Sequence, residues 1–245
     1  MKAAKVLDFL SFIKYLPFIF CLILFRPFQV YLYYFEKKKY VQSCQCLAKF
    51  LLFICGIKLI ISGKDLIAKL GERFIIISNH QSFIDIAIIL SIYPATFIQR
   101  PVGYLPGVSW HFGKLSLIID RDKPSSILRM IQFINNTTVD SGIPVAVFPE
   151  STRSIDGKLG NLHIGAAFTA KKLNLPVLPI TIYNSREIMG RENINIKSGK
   201  VYVKISEMID EDYIKNHPAK EINERFRQKL QSGLDYLSQC QKESL

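Results

Sequence analysis

The sequence predicts an α/β protein with a mixed, largely parallel sheet of about seven strands covered by helices on both faces. An N-terminal membrane-associated two-helix motif is predicted to precede the sheet. Short β-branched runs alternate with helical patterns over most of the chain, and the longest apolar stretches are confined to the N-terminus. We therefore expect two parts: a membrane-associated helical hairpin over residues 1–56 and an α/β domain over residues 57–245.

The N-terminal part contains three apolar stretches, Tyr15 to Phe25, Phe28 to Phe35 and Phe50 to Ile57. None reaches the roughly 18 continuous apolar residues of an uninterrupted spanning helix. A span requires the first two stretches to merge, with the Arg26 side chain reaching the interface and both prolines tolerated. We favour a two-helix hairpin embedded in one leaflet over a spanning anchor. No small-residue cleavage site follows the first stretch, which argues against a cleaved signal peptide.

The rest of the chain alternates between strand and helix patterns. Apolar runs rich in β-branched residues predict seven strands, at residues 57–62, 74–78, 95–99, 115–120, 144–148, 177–182 and 200–205. Helical spacing of apolar residues predicts helices at 83–91, 125–139, 163–173 and 218–240. The stretch 184–199 is rich in Asn, Arg, Glu and Gly and is predicted to be a loop.

The distribution of charge favours a membrane surface over nucleic acid. The net charge is +12, and residues 1–70 hold eleven Lys and Arg against three Asp and Glu, a net charge of +8. Basic residues mixed with aromatic and aliphatic ones are attracted to an anionic bilayer surface. Nucleic-acid binding favours basic residues on a polar face, together with a recognisable motif. We therefore expect membrane lipids, and no nucleic acid, among the partners.

A first polar cluster follows the predicted strand that ends at Ser78. His80 comes directly after this strand, and Asp85 follows five residues later. Five residues along one continuous helix would point the two side chains well apart. A helix that starts at a capping box, with Ser82 as N-cap, lets Asp85 lean back from the first turn towards the imidazole. The alternative is that Asp85 only caps the helix and His80 is an ordinary turn residue.

A second polar cluster follows the predicted strand at 144–148. Glu150, Ser151, Thr152 and Arg153 come directly after Pro149, which cannot continue a central strand. Arg offers a planar fork of donors suited to phosphate oxygens, and Ser or Thr hydroxyls add shorter contacts. The alternative is a Glu150–Arg153 ion pair that stabilises a turn, which contributes little to stability.

Together the two clusters resemble the 1-acylglycerol-3-phosphate O-acyltransferase family of glycerolipid acyltransferases. Residues 79–85 match the family's N-H-x-S-x-x-D motif, and residues 148–154 match its F-P-E-G-T-R-S motif with Ser151 in place of glycine. Residues 113–121 resemble the block that ends in I-D-R, and residues 177–182 resemble an apolar strand of the V-P-I type. The four blocks lie in the family's order between residues 79 and 182.

The resemblance implies transfer of an acyl chain from acyl-CoA or acyl-carrier protein to the free hydroxyl of lysophosphatidic acid, which gives phosphatidic acid in phospholipid biosynthesis. The thioester is already activated, so the reaction needs a base for the hydroxyl and no acyl-enzyme intermediate. Imidazole titrates close to neutral pH, and a carboxylate on its other nitrogen fixes the tautomer. His80 and Asp85 are therefore the expected catalytic residues, with no metal ion and no cofactor beyond the thioester co-substrate.

The resemblance also implies the groups that bind the acceptor. Arg153 is the first choice for the phosphate and Arg121 the second, while Arg100 and Lys114 compete for the role of the family's further basic residue. Glu150 is expected to orient either another hydroxyl of the acceptor or the loop itself, beside Ser151 and Thr152. If the glycine position requires a positive φ, Ser151 bears a steric cost that glycine does not.

Other chemistries are disfavoured by the same sequence. The five cysteines are odd in number and lack paired metal-ligand spacing, and no third ligand accompanies His80 and Asp85. No G-x-S-x-G motif of a serine hydrolase is present. The leading hypothesis is an acyltransferase at the cytoplasmic face of a membrane, held monotopically or by a single anchor. The alternatives are an acyltransferase for another lysolipid and a catalytically weak lipid-binding membrane protein.

Overall fold

A computed structural model describes residues 8–99, 116–119, 125–190 and 195–243. Its centre is a seven-stranded sheet, and all seven predicted strands are confirmed within a residue or two at each end. The strands are β1 (Ile57–Ser62), β2 (Ile75–Ser78), β3 (Thr96–Gln99), β4 (Ser116–Ile118), β5 (Val145–Val147), β6 (Val177–Tyr183) and β7 (Gly199–Ile205). Their order across the sheet is β1-β7-β6-β2-β5-β3-β4, and every neighbouring pair is parallel except β6 and β7.

Helices cover both faces of this sheet, as the sequence predicted. On one face lie α1 (Phe9–Leu24), α2 (Arg26–Phe35), α3 (Lys37–Ile54) and α4 (Asp85–Ile92). On the other face lie α5 (Ser126–Ile134), α6 (Gly165–Leu173), α8 (Glu211–Asn216) and α9 (Ala219–Glu243). The short helix α7 (Ser185–Ile188) follows β6, and its Ile188 belongs to the core of the first face.

The alternation of side chains along β2 and the residue before it shows why helices must cover both faces of the sheet. Phe74 and Ile76 pack into the core beneath α1–α4, whereas Ile75 and Ile77 pack into the core beneath α5, α6 and α9. All four side chains are fully buried. A strand with apolar side chains on both faces is stable only between two helical layers, which places β2 at the middle of the domain.

The helix α9 packs closely on β6 because Gly233 has no side chain. A Cβ atom at this position would lie 2.2 Å from the Thr181 hydroxyl oxygen. The predicted apolar stripe is confirmed, since Ile222, Phe226, Leu230 and Leu237 are all buried. The C-terminal helix is therefore a docked part of the α/β domain.

The N-terminal segment forms three helices where two were predicted. The chain bends by 56° between α1 and α2. The break falls at Phe25, just before Pro27 in the first turn of α2, because proline lacks the N–H that would continue the preceding helix. The third helix, α3, starts at Lys37 and so extends well before the apolar stretch at 50–57.

Two of the helices were not predicted by apolar spacing. The predicted loop 184–199 contains α7, a single turn of Ser185–Ile188, and α8 spans Glu211–Asn216. The start of α8 is fixed by Asp210, whose side chain accepts a hydrogen bond from the N–H of Tyr213. The predicted helix 125–139 is α-helical as far as Ile134 and ends in a π-helical turn over Asn135–Val139.

Among the described residues, no single helix is both long and apolar enough to cross a bilayer. Taken together, α1 and α2 meet that criterion despite the bend between them. The hydrophobic core on the first face of the sheet includes residues of the N-terminal helices. Leu22 of α1, Leu32 of α2 and Leu51 of α3 belong to it.

Candidate active site

The two polar clusters meet because β2 and β5 are adjacent parallel strands. Ile77 of β2 lies opposite Val147 of β5 in the ladder. His80 follows β2 and the segment 149–153 follows β5, so both leave the sheet at the same edge. In open α/β sheets, ligands bind at the carboxyl ends of the strands, and this edge is therefore where a site is expected.

His80 and Asp85 form a hydrogen-bonded pair. The distance between His80 Nδ1 and Asp85 Oδ2 is 2.9 Å, and the Asp85 side chain is fully buried. The same Oδ2 accepts hydrogen bonds from the N–H groups of Gln81, at 2.7 Å, and Ser82, at 2.8 Å. The contact predicted from the spacing is present, because α4 begins at Asp85 and its carboxylate points back over the turn.

Half of the predicted capping box is formed in this turn. The Asp85 carboxylate accepts the Ser82 N–H, as the third residue of a capping box does. The Ser82 hydroxyl does not accept the Asp85 N–H in return; it accepts the N–H of Ile84 at 3.3 Å and donates to the carbonyl of Met189 at 2.6 Å. The tight turn between His80 and α4 thus places the carboxylate beneath the imidazole.

The tautomer of His80 follows from its partner. An ionised carboxylate only accepts hydrogen bonds, so Nδ1 carries the proton and Nε2 of the neutral ring holds a free lone pair. The His80 ring stacks on Phe148, with 4.1 Å between ring centroids and 18° between ring planes, and it lines a cavity. A hydroxyl bound in that cavity can therefore lose its proton to Nε2.

The loop after β5 holds the His80 backbone on both sides. The His80 N–H donates to Glu150 Oε1 at 2.7 Å, and the His80 carbonyl accepts the N–H of Ser154 at 2.7 Å. The Gln81 side chain donates to the carbonyl of Gly157 at 2.9 Å. The turn that carries the imidazole and the loop that carries Arg153 are therefore one connected unit.

Glu150 joins the loop after β5 to the turn that carries His80. Its Oε1 accepts the His80 N–H and its Oε2 accepts the N–H of Gly160 at 2.7 Å. A Cβ atom on Gly160 would lie 3.0 Å from Oε2, so glycine permits this close approach. Burial raises the pKa of Glu150 against the opposing effect of these two hydrogen bonds. The side chain does not contribute to the cavity wall.

Ser151 adopts a backbone conformation that favours glycine, the residue that the family motif has at this position. Its φ is 67°, in the left-handed region, so the predicted steric cost is present. The Ser151 N–H donates to the carbonyl of Phe148 at 3.0 Å, and the hydroxyl donates to the carbonyl of Pro149 at 3.3 Å. Both bonds close the turn, and Ser151, Thr152 and Arg153 all line the cavity.

The cavity has a volume of about 510 Å³, within the range of about 300 to 1,000 Å³ that is usual for small-molecule sites. The polar and charged side chains at its wall are those of His80, Gln99, Ser126, Ser151, Thr152, Arg153 and His163. Its apolar part is formed by aliphatic and aromatic side chains from both sides of the sheet edge. These include Phe83, Ile86, Ile98, Ile119, Ile127, Met130, Val147, Phe148 and Ile164. The cavity wall thus combines an imidazole and a guanidinium with an extended apolar surface.

Several predicted site residues lie outside the described residues. They are Arg100, Lys114 and Arg121. Of the basic candidates, the described part of the chain includes Arg153, which is at the cavity wall. Among the same described residues, no group of three or more His, Cys, Asp or Glu side chains is arranged to hold a metal ion.

Sequence reasoning did not predict the tertiary contacts of the side chains that support the turn carrying His80. The Asn79 side chain donates to the carbonyl of Ile182 and accepts the Ile182 N–H, both at 2.8 Å, so it extends the pairing of β2 with β6. Asn79, Gln81 and Ser82 are all buried. The feature of the sequence that could have indicated this support is the run of polar residues directly after a fully apolar strand. His163, at the cavity wall, was also not among the predicted site residues.

Comparison with known proteins identifies the family of this chain. The family described as Acyltransferase matches residues 58–183, which is half of the chain. A 1-acyl-sn-glycerol-3-phosphate acyltransferase from Chlamydomonas reinhardtii is 29% identical over 182 residues, 72% of this chain and 53% of the relative. A chloroplastic one from Brassica napus is 33% identical over 154 residues, 61% of this chain and 44% of the relative. The chain spans about half the length of these curated relatives.

A solved structure shares the fold. The crystal structure of the 1-acyl-sn-glycerophosphate acyltransferase PlsC from Thermotoga maritima is similar with a TM-score of 0.75 and 23% identity. The similarity covers 93% of this chain and 96% of that one. The chain belongs to the acyltransferase family, and the family resemblance inferred from the sequence motifs is confirmed.

The raised pKa of Glu150 predicts a particular pH dependence of stability. The folded chain holds this proton more tightly than the unfolded chain, so the group's stabilising contribution is full below the unfolded value, about 4.5, and is lost as pH rises through the folded value. We expect the wild type to lose thermal stability relative to Glu150→Gln as pH is raised from about 4 to 7. Melting midpoints of both proteins in detergent measure this difference.

The matched control is Glu72→Gln, since the Glu72 side chain is 70% exposed and pairs with Lys38 at the surface. Its difference from the wild type should stay nearly flat over the same pH range. A wild type that gains stability relative to Glu150→Gln with rising pH would contradict the assignment.

Proposed function

We propose that this chain transfers an acyl group from a thioester donor to the free hydroxyl of lysophosphatidic acid, giving phosphatidic acid. One observation carries the proposal: a buried carboxylate orients the imidazole of His80 at the wall of a cavity that also contains Arg153 and an extended apolar surface. The names of the relatives from Chlamydomonas and Brassica support the same reaction and the same acceptor.

The chemical steps follow from this geometry. Nε2 of His80 removes the proton from the acceptor hydroxyl as its oxygen attacks the thioester carbonyl carbon. The tetrahedral intermediate collapses, the carbon–sulfur bond breaks, and the thiolate takes the proton from the imidazolium. Asp85 stabilises the imidazolium between these steps without itself becoming protonated. The oxygen ester and the free thiol are the products, and no covalent acyl-enzyme is required.

Arg153 is proposed to bind the phosphate of the acceptor. A guanidinium has two parallel N–H donors that fit two phosphate oxygens, and Thr152 also lines the cavity. Arg121, Arg100 and Lys114 remain proposed contributors to the same role. The polar end of the cavity then holds the head group close to His80, which places the acceptor hydroxyl near the base.

The apolar wall is proposed to hold the acyl chain of the donor. Ile86, Ile98, Ile119 and Met130 are among the side chains that form it. Their burial against a chain of methylene groups is favourable by about 0.8 kcal/mol for each CH₂ removed from water. The donor is acyl-CoA or acyl-carrier protein, used as a co-substrate, and no other cofactor is proposed.

Membrane association is proposed to occur through α1 and α2. Large apolar side chains are exposed along both helices: Phe9, Leu10, Phe12, Ile13, Leu16, Ile19, Phe20, Ile23, Leu24, Phe28, Tyr31, Tyr34 and Phe35. An exposed apolar surface of this extent indicates contact with a bilayer or a partner, and the neighbouring lysines favour an anionic bilayer. We propose a monotopic or single-anchor placement at the cytoplasmic face, where anionic lipids are enriched.

The proposal predicts acyl transfer that depends on His80. Purified full-length protein in detergent, supplied with labelled acyl-CoA or acyl-carrier protein and a panel of lysolipids, should form phosphatidic acid, identified by mass. His80→Ala should lower the rate by about 10² to 10⁴, which is the usual contribution of positioned proton transfer. His217→Ala serves as the control, because His217 lies at the end of α8 and stacks on Tyr213.

Each outcome of this assay decides between the hypotheses. Near-normal transfer by His80→Ala would refute the base. Transfer to another lysolipid but not to lysophosphatidic acid would replace the proposed acceptor, and wild-type protein that binds lysolipid without any transfer would favour the catalytically weak relative.

In the same assay, Arg153→Ala should raise the KM for the phosphate-bearing acceptor at least tenfold more than the KM for the thioester. Equal effects on both KM values would count against a phosphate-binding role for Arg153.

The membrane proposal predicts that polar substitutions on α1 and α2 release the protein. Phe9, Phe20 and Phe35 are 75%, 65% and 74% exposed. Replacing all three with Ser removes apolar area that would be buried in lipid, at about 1 kcal/mol or more for each side chain. We expect at least a hundredfold weaker binding to vesicles of anionic and zwitterionic phospholipids, measured by co-sedimentation.

The matched control is Tyr236→Ser, an exposed aromatic residue on α9 at the opposite face of the sheet. It should leave vesicle binding unchanged. Equal loss in both variants, or full binding by the triple variant, would show that the anchor lies elsewhere.

A further inference from the structure

Ser82 connects the His80–Asp85 pair to a distant part of the chain. Its N–H donates to Asp85 Oδ2, and its hydroxyl donates to the carbonyl of Met189 at 2.6 Å, after α7. Ser82 is fully buried and Met189 is nearly so. A buried hydrogen bond of this length restrains both partners, so the catalytic turn is tied to the segment that follows α7.

That segment is in turn tied to the N-terminal helix α1. The N–H of Lys197 donates to the carbonyl of Ile188, the residue before Met189, at 2.9 Å. The next contact is at Ile196, whose N–H donates to the hydroxyl of Ser11 in α1 at 2.9 Å. The Lys14 ammonium of α1 donates to the Ile196 carbonyl and to the Ser198 hydroxyl, both at 3.0 Å.

The orientation of the Asp85 carboxylate depends on this support. Its three hydrogen bonds all go to Oδ2, from His80, Gln81 and Ser82. The other oxygen, Oδ1, is buried and accepts no hydrogen bond from the part of the chain that the structure describes. Because all three bonds converge on Oδ2, the backbone N–H donors of Gln81 and Ser82 fix the position of this oxygen and, through it, that of the His80 imidazole.

We propose that Ser82 is a positioning residue through which α1 holds the His80–Asp85 pair in its catalytic geometry. The route runs from Ser11 and Lys14 through residues 196–198 to Ile188 and Met189, and from there to Ser82. The inference rests on the proposed function, and it adds a second role to α1 besides contact with the bilayer. Catalytic rate thus depends on α1 being docked on the domain as well as on the protein reaching the membrane.

The test is a double-variant cycle in the full-length protein. Ser82→Ala removes the bond to Met189, and Ser11→Ala removes the acceptor of the Ile196 N–H at the α1 end. Each single variant should lower kcat about tenfold at nearly constant KM for both substrates, because misplacement of a catalytic group by a fraction of an ångström affects the transition state most. The double variant should be no slower than Ser82→Ala, since the route is already broken.

Ser91→Ala is the matched control. Ser91 is a buried serine on α4, the helix that begins at Asp85, and its hydroxyl donates to the Ile88 carbonyl within that helix. It should keep the wild-type kcat. Vesicle co-sedimentation should be the same for all variants, which separates an effect on rate from an effect on membrane binding. If Ser82→Ala does not fold, Lys14→Met and Ser11→Ala test the α1 end.

A second readout does not require turnover. In protein labelled with ¹⁵N-histidine, the proton between His80 Nδ1 and Asp85 should give a downfield resonance in the wild type and in Ser91→Ala. The same resonance should shift or broaden in Ser82→Ala, Ser11→Ala and Lys14→Met. If the wild type is inactive but the resonance still shifts or broadens in these variants, the proposed function is refuted and the inference about positioning stands.

The inference is overturned by either of two results. The first is an unchanged kcat and resonance in the α1 variants. The second is single-variant effects that multiply in the double variant, which would show that Ser11 and Ser82 act independently.

Discussion

The buried carboxylate of Asp85 is the constraint on which the site depends. An ionised group without access to water is tolerated only when hydrogen-bond donors replace its hydration. Here two backbone N–H groups and one imidazole N–H converge on the same oxygen, at 2.7 to 2.9 Å. This requires a strand that ends at Ser78, a tight turn, and a helix that begins at Asp85. Any change in the length of that turn would separate the His80 imidazole from the Asp85 carboxylate.

The arrangement of the sheet brings the loop after β5 to the same place. β5 pairs with β2, so the loop that carries Arg153 leaves the sheet beside His80. Glu150 then joins the two segments, with one oxygen on the His80 N–H and the other on the Gly160 N–H. Its carboxylate therefore shapes the loop, and the strained backbone at Ser151 is held within that same shape.

Much of the fold and the contact between His80 and Asp85 could be predicted from the sequence, because both depend on short-range patterns. The apolar runs fix the strands, and the five-residue spacing of His80 and Asp85 has one sensible geometry once a helix starts between them. The partners of Glu150 and Ser82 could not be predicted, since Gly160 and Met189 reach them only through tertiary contacts. The third N-terminal helix was missed because the basic residues at its start, Lys37, Lys38 and Lys39, concealed its apolar face.

The most direct test of the account is the turnover of Asp85→Asn, measured with acyl-CoA and lysophosphatidic acid. An amide of nearly the same shape can no longer fix the imidazole tautomer or stabilise the imidazolium. We expect kcat to fall by about 10³ to 10⁴, by analogy with removal of the charge from the aspartate of a serine-protease triad, while the KM values and the melting midpoint change little. A variant that turns over at close to the wild-type rate would contradict the central role of the buried carboxylate.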